Sequence, residues 1–495
     1  MKILYYNWVQ FDDEERRGGG VTVYLDNIVS EMISRGHDVY FLSSGTSYDI
    51  FRSKSYVRKT KCRVAACNTY EIVNSSVMAP SHAFWGGEEI SMLDESMVGC
   101  VSQFVEEHGP FDVVHFHNLE GLSLKIISKD IFKEAMIFHS AHNYFSICPQ
   151  VNLWRYETAN CVDYNDGQAC TYCLPYAVSL KKNMLQYQTR YLASKFGFCG
   201  KSLNSRRVMR LLGGLRSILH VLNKIRYFLL LKKSPNPIWR FLYGRKDALV
   251  RSHLLRERRL LVAKTLIENN VTTLAVSEQT KTVLMAFGLK NARNLTSYIG
   301  TKHTDKFKEV NLLQHPKAPE RLSICYLGYM RRDKGFYFFL ECLEKLPISL
   351  SKRISVTVAA KNNFDGSIER LMKLNQKFNS VHFYDGFSSS ELDDILKKVD
   401  LGVIPSLWED NLPQVAIEIV SRGIPVLTSN LGGAQEISRN RDFTFDAGNH
   451  DDFTAALERL VDGKITLGEY WNEKPLLRSN SEHAEELERI YSAGQ

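Results

Sequence analysis

The stretch Pro405–Ile437 reads PSLWEDNLPQVAIEIVSRGIPVLTSNLGGAQEI, and its order of elements decides the fold class. An apolar run, DLGVIPS, enters it as a strand and stops at Pro405 and Ser406. An acidic turn with Glu409 and Asp410 follows, a helix opens around Leu412 and Pro413, and IPVLTSN reads as the next strand. Pro is favoured near a helix start because that position's N–H would find no partner anyway. Backbone N–H groups at such a start can hold a diphosphate. Asp410 and Glu418 are separated by about two helical turns at roughly 3.6 residues per turn, so both carboxylates can face one elongated ligand. The helix macrodipole, which favours acids in a first turn, accounts for the same residues without a ligand.

Working outward, the same alternation recurs in two blocks. After Arg321 come the strand-like runs LSICYLGYM, ISVTVAA, VHFYDGF, DLGVIPS and IPVLTSN, separated by helix-compatible stretches such as FYFFLECLEKL and SSELDDILKKV. Near the start, KILYYN reads as a buried strand, Gly18–Gly20 as a loop, VTVYLDNIVSEMISRGH as an amphipathic helix and DVYFLSS as a second strand. FDVVHFHN and AMIFHSAHN are apolar runs with polar, His-containing tips, which a parallel sheet would present at its carboxyl edge, where such sheets bind ligands. Strand–helix alternation in two blocks predicts an α/β chain of two facing parallel-sheet domains. The boundaries expected are 1–295, 296–477 and a terminal helix, 478–495, packing back on the first domain; the polar run from Asn291 to Glu320 reads as the linker.

The 495 residues, 44% hydrophobic and 24% charged, suit several globular domains and exclude whole-chain disorder. No run reads as a secretory signal or a membrane span, so a cytoplasmic location is expected. The net charge of +8 hides an asymmetry. Residues 177–264 hold 21 Lys and Arg against only Asp247 and Glu257, a local +19, which leaves 8 − 19 = −11 for the rest. The stretch reads as a helical insertion. Its basic residues, interleaved with aromatic and aliphatic ones, suggest docking on an anionic membrane surface; a solvated helical face with snorkelling Lys and Arg stems is the plainer alternative.

The stretch that opened this reading resembles the donor-binding signature of GT-B retaining glycosyltransferases, family 4, whose pattern is Glu-x7-Glu. Here Asp410 holds the first position, with Glu409 just before it, and Glu418 the second. The resemblance implies that Asp410 or Glu409 contacts the donor sugar and that Glu418 contacts the nucleotide ribose, with Asn411, Leu412 and Pro413 beside the donor. YLGYMRRDKGFYFFLE resembles the family's Gly-Arg-x5-Lys-Gly loop. Gly328, Lys334 and Gly335 match, Tyr329 stands where Arg is usual, and Arg331 or Arg332 is left to supply the second cation beside Lys334. Gly19 and Gly20 look like the N-terminal glycine loop, and HNYFSICP like the His-Asp-Tyr…Cys-Pro segment with Asn143 for Asp, which makes His142 the acceptor-side histidine. Only 177–264 lies outside the pattern.

The fold class expected is therefore α/β, GT-B, with a basic helical insertion. The activity expected is retaining transfer of a sugar from a nucleotide diphosphate sugar to a glycan or lipid-diphosphate-linked acceptor in capsule, O-antigen or exopolysaccharide synthesis. Lys334 and Arg331 would stabilise the leaving group without a catalytic metal, and the enzyme would sit on the inner face of the cell membrane. Separately, Cys148, Cys161, Cys170 and Cys173, spaced x12, x8 and x2, suggest a structural Zn2+ site, because thiolates in a reducing compartment suit tetrahedral zinc. The rival reading is a nucleic-acid-binding protein using the basic stretch, although no recognition motif is present and no nucleic-acid partner is expected. A dinucleotide oxidoreductase is disfavoured, since no Gly-x-Gly-x-x-Gly follows either first strand.

Overall fold

The computed structural model describes residues 1–13, 17–64, 66–80, 94–155, 158–173, 180–195, 237–310, 321–388 and 390–493. Two sheets organise them. The first has eight strands: β1 (Lys2–Tyr6), β2 (Asp38–Ser47), β3 (Tyr56–Lys59), β4 (Asn68–Val73), β5 (Val113–Phe116), β6 (Met136–Ala141), β9 (Thr272–Ala275) and β10 (Arg293–Thr296). Their spatial order is β10-β9-β6-β5-β1-β2-β4-β3. All neighbours are parallel except β3, which closes the edge antiparallel to β4. β7 (Trp154–Arg155) and β8 (Ala159–Asn160) form a separate two-stranded ribbon.

The second sheet is wholly parallel, in the order β13-β12-β11-β14-β15-β16, from β11 (Leu322–Tyr329), β12 (Ile354–Lys361), β13 (Ser380–Asp385), β14 (Leu401–Ile404), β15 (Val426–Ser429) and β16 (Thr444–Phe445). Its central strands carry fully buried Ile324, Val356, Val358, Val403 and Val426. Continuous apolar runs of this kind are what a sheet covered by helices on both faces requires.

Five helices position the cleft. They are α1 (Gly20–Ser34), α2 (Pro237–Glu268), α3 (Glu278–Leu284), α4 (Gln414–Val420) and α5 (Asn480–Ser492). α1 buries Leu25, Ile28, Val29 and Met32, the stripe its spacing predicts. α5 begins with a capping box in which Ser479 and Glu482 satisfy each other's backbone N–H groups, and it packs on α1. Arg35 and His37 reach Glu488 of α5 at 3.0 and 2.7 Å, and Tyr491 lies buried against His115 of β5.

The expected linker differs at its start. Arg293–Thr296 is a strand, β10, paired parallel with β9 at the sheet edge. Its residues are polar because an edge strand keeps one side in water, and polarity hid it in the sequence. The basic stretch is described only in part. Residues 196–236, which include Lys232 and Lys233, lie outside the described residues, and for Arg240, Arg245 and Lys246 only the helical backbone of α2 is described. Where its side chains are described, the charges are not all solvated. Arg258 and Arg259 are buried, Arg258 donating to the Phe145 carbonyl at 2.7 Å. No described helix is long and apolar enough to cross a membrane.

Candidate active site

The carboxyl edges of the two sheets face each other across a cavity of about 630 Å³. The second sheet supplies one wall. The end of β11 brings Gly328 and Tyr329 and the loop after it Lys334, while the loop after β14 brings Trp408, Asp410, Asn411, Leu412 and Pro413, and α4 brings Glu418. The first sheet supplies Gly19 and Gly20 after β1, Tyr24 of α1, and His142 after β6. Ten of the residues singled out in the sequence thus meet in one cleft: Gly19, Gly20, His142, Gly328, Lys334, Asp410, Asn411, Leu412, Pro413 and Glu418.

The centre of the charged wall is an ion pair. Lys334 Nζ lies 2.6 Å from Asp410 Oδ2 and 4.9 Å from the centre of the Trp408 ring. Backbone geometry forces this approach. Gly335 has φ +73°, and a Cβ there would run into the Pro405 carbonyl, so glycine lets the β11 loop lie against the β14 loop. Gly432, at φ +70°, does the same against the backbone of Asp410.

Glu418 sits deeper. Burial lifts its pKa to about 7 against the opposing pull of Arg422. His303 Nε2 stands 3.5 Å from Glu418 Oε1, but burial also lowers the His303 pKa. At neutral pH the contact therefore joins a neutral imidazole to a half-ionised carboxyl and is not a full ion pair.

Two of the expected site residues, Glu409 and Arg331, are not among the described residues lining the cleft. The helix expected to open around Leu412 and Pro413 begins at Gln414 as α4, with Asp410 in the turn before it. The residue before a proline is driven out of the helical region, and Leu412 precedes Pro413, so Asp410 stays in the turn. Glu409 does not line the cleft. Its carboxylate accepts from Gln279 Nε2 and from the Gly432 N–H, both at 3.0 Å, which ties the β14 loop to α3 of the other domain. Arg331 does not line it either. It forks onto buried Asp333 at 2.9 and 2.6 Å through Nε and Nη2, a pairing two residues apart that orients the guanidinium.

Several lining residues had no signal in the sequence. Lys361 ends β12 directly beside Tyr329 in register, and it is paired with Asp385 at 3.1 Å. Trp408 and Tyr24 also line the cleft, although no motif singles them out. Gln414 donates to the Gly20 carbonyl at 3.1 Å, bridging the walls. Another tie between the domains is Glu436, which accepts from the N–H groups of Glu278 and Gln279 and from the Tyr298 hydroxyl at 2.7–2.9 Å. It thereby satisfies the orphan donors at the start of α3.

The four cysteines come together elsewhere. Cys148, Cys161, Cys170 and Cys173 line one void of about 10 Å³, with Arg259 beside them. Arg259 is 4% exposed, donates to Cys170 Sγ at 3.4 Å and stacks on Tyr164 at 3.8 Å. Burial pushes the Cys161 thiol up to about 11. The thiol chemistry suits Zn2+, but among the described residues no three His, Cys, Asp or Glu side chains are gathered round one point as ligands.

Comparison with known proteins agrees with this geometry. Sucrose-phosphate synthase from Thermosynechococcus elongatus superposes on the chain with a TM-score of 0.53 at 14% identity, covering 100% of this chain and 98% of that one. The fold is GT-B. Within it, residues 308–474 match the family model of glycosyl transferases group 1, the part that carries the charged wall. Over 78 residues the GT-B chain is 35% identical to the Escherichia coli UDP-Gal:alpha-D-GlcNAc-diphosphoundecaprenol alpha-1,3-galactosyltransferase, 15% of this chain and 20% of that protein. It is 25% identical over 158 residues to an uncharacterized 42.6 kDa protein of the cps region of Klebsiella pneumoniae, covering 29% of this chain and 39% of that protein. The alignments thus span about one fifth and two fifths of these two relatives.

Proposed function

We propose that this GT-B chain is a glycosyltransferase that moves a hexose-type sugar, with retention, from a nucleotide diphosphate sugar to a hydroxyl of a glycan or lipid-diphosphate-linked glycan in surface polysaccharide synthesis. The observation that carries the reading is the cleft itself, where Lys334 is ion-paired with Asp410 and Glu418 stands on the same wall, the one matched by the group 1 model. The relatives named above, one acting from UDP-galactose on a diphosphoundecaprenol-linked sugar and one encoded in a cps region, support the donor and acceptor classes.

In this reading Glu418 accepts from the ribose hydroxyls and Asp410 from a hydroxyl of the donor sugar. Lys334, already beside Asp410, neutralises the leaving diphosphate. The bond from the anomeric carbon to phosphate breaks, the acceptor oxygen bonds to that carbon on the same face, and the acceptor proton passes to the departing phosphate oxygen. With Arg331 held by Asp333, Lys334 bears this task without it. Docking of 177–264 on anionic lipid belongs to the same proposal, and so does a structural Zn2+ at the four thiols, with Arg259 offsetting thiolate charge. Elemental analysis finding no zinc in purified protein removes the metal.

Thermal-shift titration with UDP-, GDP- and ADP-sugars tests the function. Stabilisation by a UDP-sugar is expected, followed by transfer to a lipid-diphosphate glycan. No shift with any nucleotide sugar, together with salt-sensitive binding to nucleic acid, would replace this reading with the rival one.

A further inference from the structure

The wall formed by the first sheet holds no carboxylate or ammonium group among the described residues that line the cleft; its polar side chains there are Tyr24 and His142. Behind His142 lies a second histidine. His117 and His142 follow the adjacent parallel strands β5 and β6, and His117 Nδ1 is 3.2 Å from His142 Nε2, with the rings inclined by 26°. His117 is 1% exposed, and its other nitrogen, Nε2, is buried with no hydrogen-bond partner. His142 has its Nε2 occupied, so Nδ1 is the nitrogen left for the cleft.

Burial holds both imidazoles neutral. It pulls the His142 pKa to about 3 and sends that of His117 well below its ordinary value, with neighbouring histidines adding to the effect. The groups packed around the pair are His115 of β5, His139 of β6, Tyr5 of β1, Tyr24 of α1 and His483 of α5; no carboxylate is among those acting on either ring. Each neutral ring carries one proton, and the contact between them needs one.

Two arrangements satisfy that count. If His142 donates from Nε2, the proton of His117 must sit on its Nε2, a buried N–H with no acceptor. If His117 donates from Nδ1, its Nε2 is a bare lone pair and the proton of His142 sits on Nδ1. Orphaned buried N–H groups are the rarer defect in folded proteins. We propose that His117 is a positioning residue that fixes His142 as an Nδ1–H hydrogen-bond donor facing the cleft, so that His142 recognises an acceptor oxygen of the bound ligand. If the proposed function holds, that oxygen belongs to the sugar or its phosphate.

Long-range proton–nitrogen NMR on full-length, 15N-histidine protein without donor tests the tautomer directly, with His117→Gln and His142→Gln used for assignment. The expected result at neutral pH is a protonated Nδ1 on both rings. A protonated Nε2 on His142 would overturn the proposal, whether or not a nucleotide sugar is ever found to bind. Kinetics supply the second arm. His117→Asn keeps a donor facing His142 and should retain kcat/KM within about fivefold, while His117→Asp reverses the bond and should lower it by about 10- to 100-fold. The aspartate should also raise the His142 pKa and add an inflection between about pH 6 and 8 to the rate profile. A His117→Asp variant that folds and keeps the parent kcat/KM and pH profile would equally defeat the idea.

Discussion

The two walls of the cleft differ in how they hold charge. The wall from the second sheet presents Lys334, Asp410, Lys361 and Glu418, arranged in pairs or half-ionised. The wall from the first sheet presents glycine backbone, one tyrosine and one neutral histidine backed by another. An anionic diphosphate can exchange places with an existing ion-pair partner on the first of these walls. A sugar hydroxyl, which needs direction more than charge, suits the second. The two walls thus differ in charge and hydrogen-bonding character before any ligand is bound.

Removing charge from the second-sheet wall should have the largest effect. Lys334→Ala is expected to lower kcat by about 10²- to 10³-fold, because the cation acts on charge that develops as the diphosphate leaves. Equal activity of parent and variant in a single-turnover assay would erase the contrast between walls. Next comes the choice between the adjacent acids. Asp410→Asn should cost about 10- to 100-fold in kcat/KM, whereas Glu409→Gln should change it little and instead lower Tm by about 2–4 °C through the weakened tie to Gln279 and Gly432. Identical losses in both variants would put Glu409 back at the sugar.

The pH response of the donor complex is the smallest effect and the sharpest. With its pKa near 7, Glu418 is mostly protonated at pH 6 and mostly ionised at pH 8. On the proposed ribose contact the ionised carboxylate is the better acceptor, so donor Kd should fall by about tenfold over that interval. Isothermal titration of Glu418→Gln should show a weak, pH-independent Kd. A slope that survives the substitution would assign the titration to another group. Burial lowers the His303 pKa, so titration of that ring would move toward the acid end of the interval.

Some of this site was readable in advance because local chemistry marks it. Glycines on either side of a strand end, a Pro at a helix start and an acid pair eight residues apart leave a pattern in one stretch of chain, and Gly328, Lys334, Asp410 and Glu418 were found that way. Arg331 and Glu409 point elsewhere for a reason the sequence does not carry. Each carries the right charge in the right loop, but each is satisfied by a partner that competes with the cleft: Asp333 two residues along, and Gln279 about 130 residues away. Side-chain direction in an irregular loop is set by such competition, which residue type alone does not encode.

The sequence by itself determined the two parallel sheets and the edge at which ligands meet them. Apolar runs of four to eight residues alternating with amphipathic ones bury best as strands covered by helices, and polar tips fall at one end. Only the tertiary structure decided that β10 extends the first sheet, that Lys361 stands beside Tyr329, and that four cysteines from separate segments line one void. It alone decided that His117 and His142 touch. Each of these depends on strand register or on loop closure over tens of residues, where the energy differences between alternatives come from packing and hydrogen-bond satisfaction summed across segments, and no local run of sequence carries that sum.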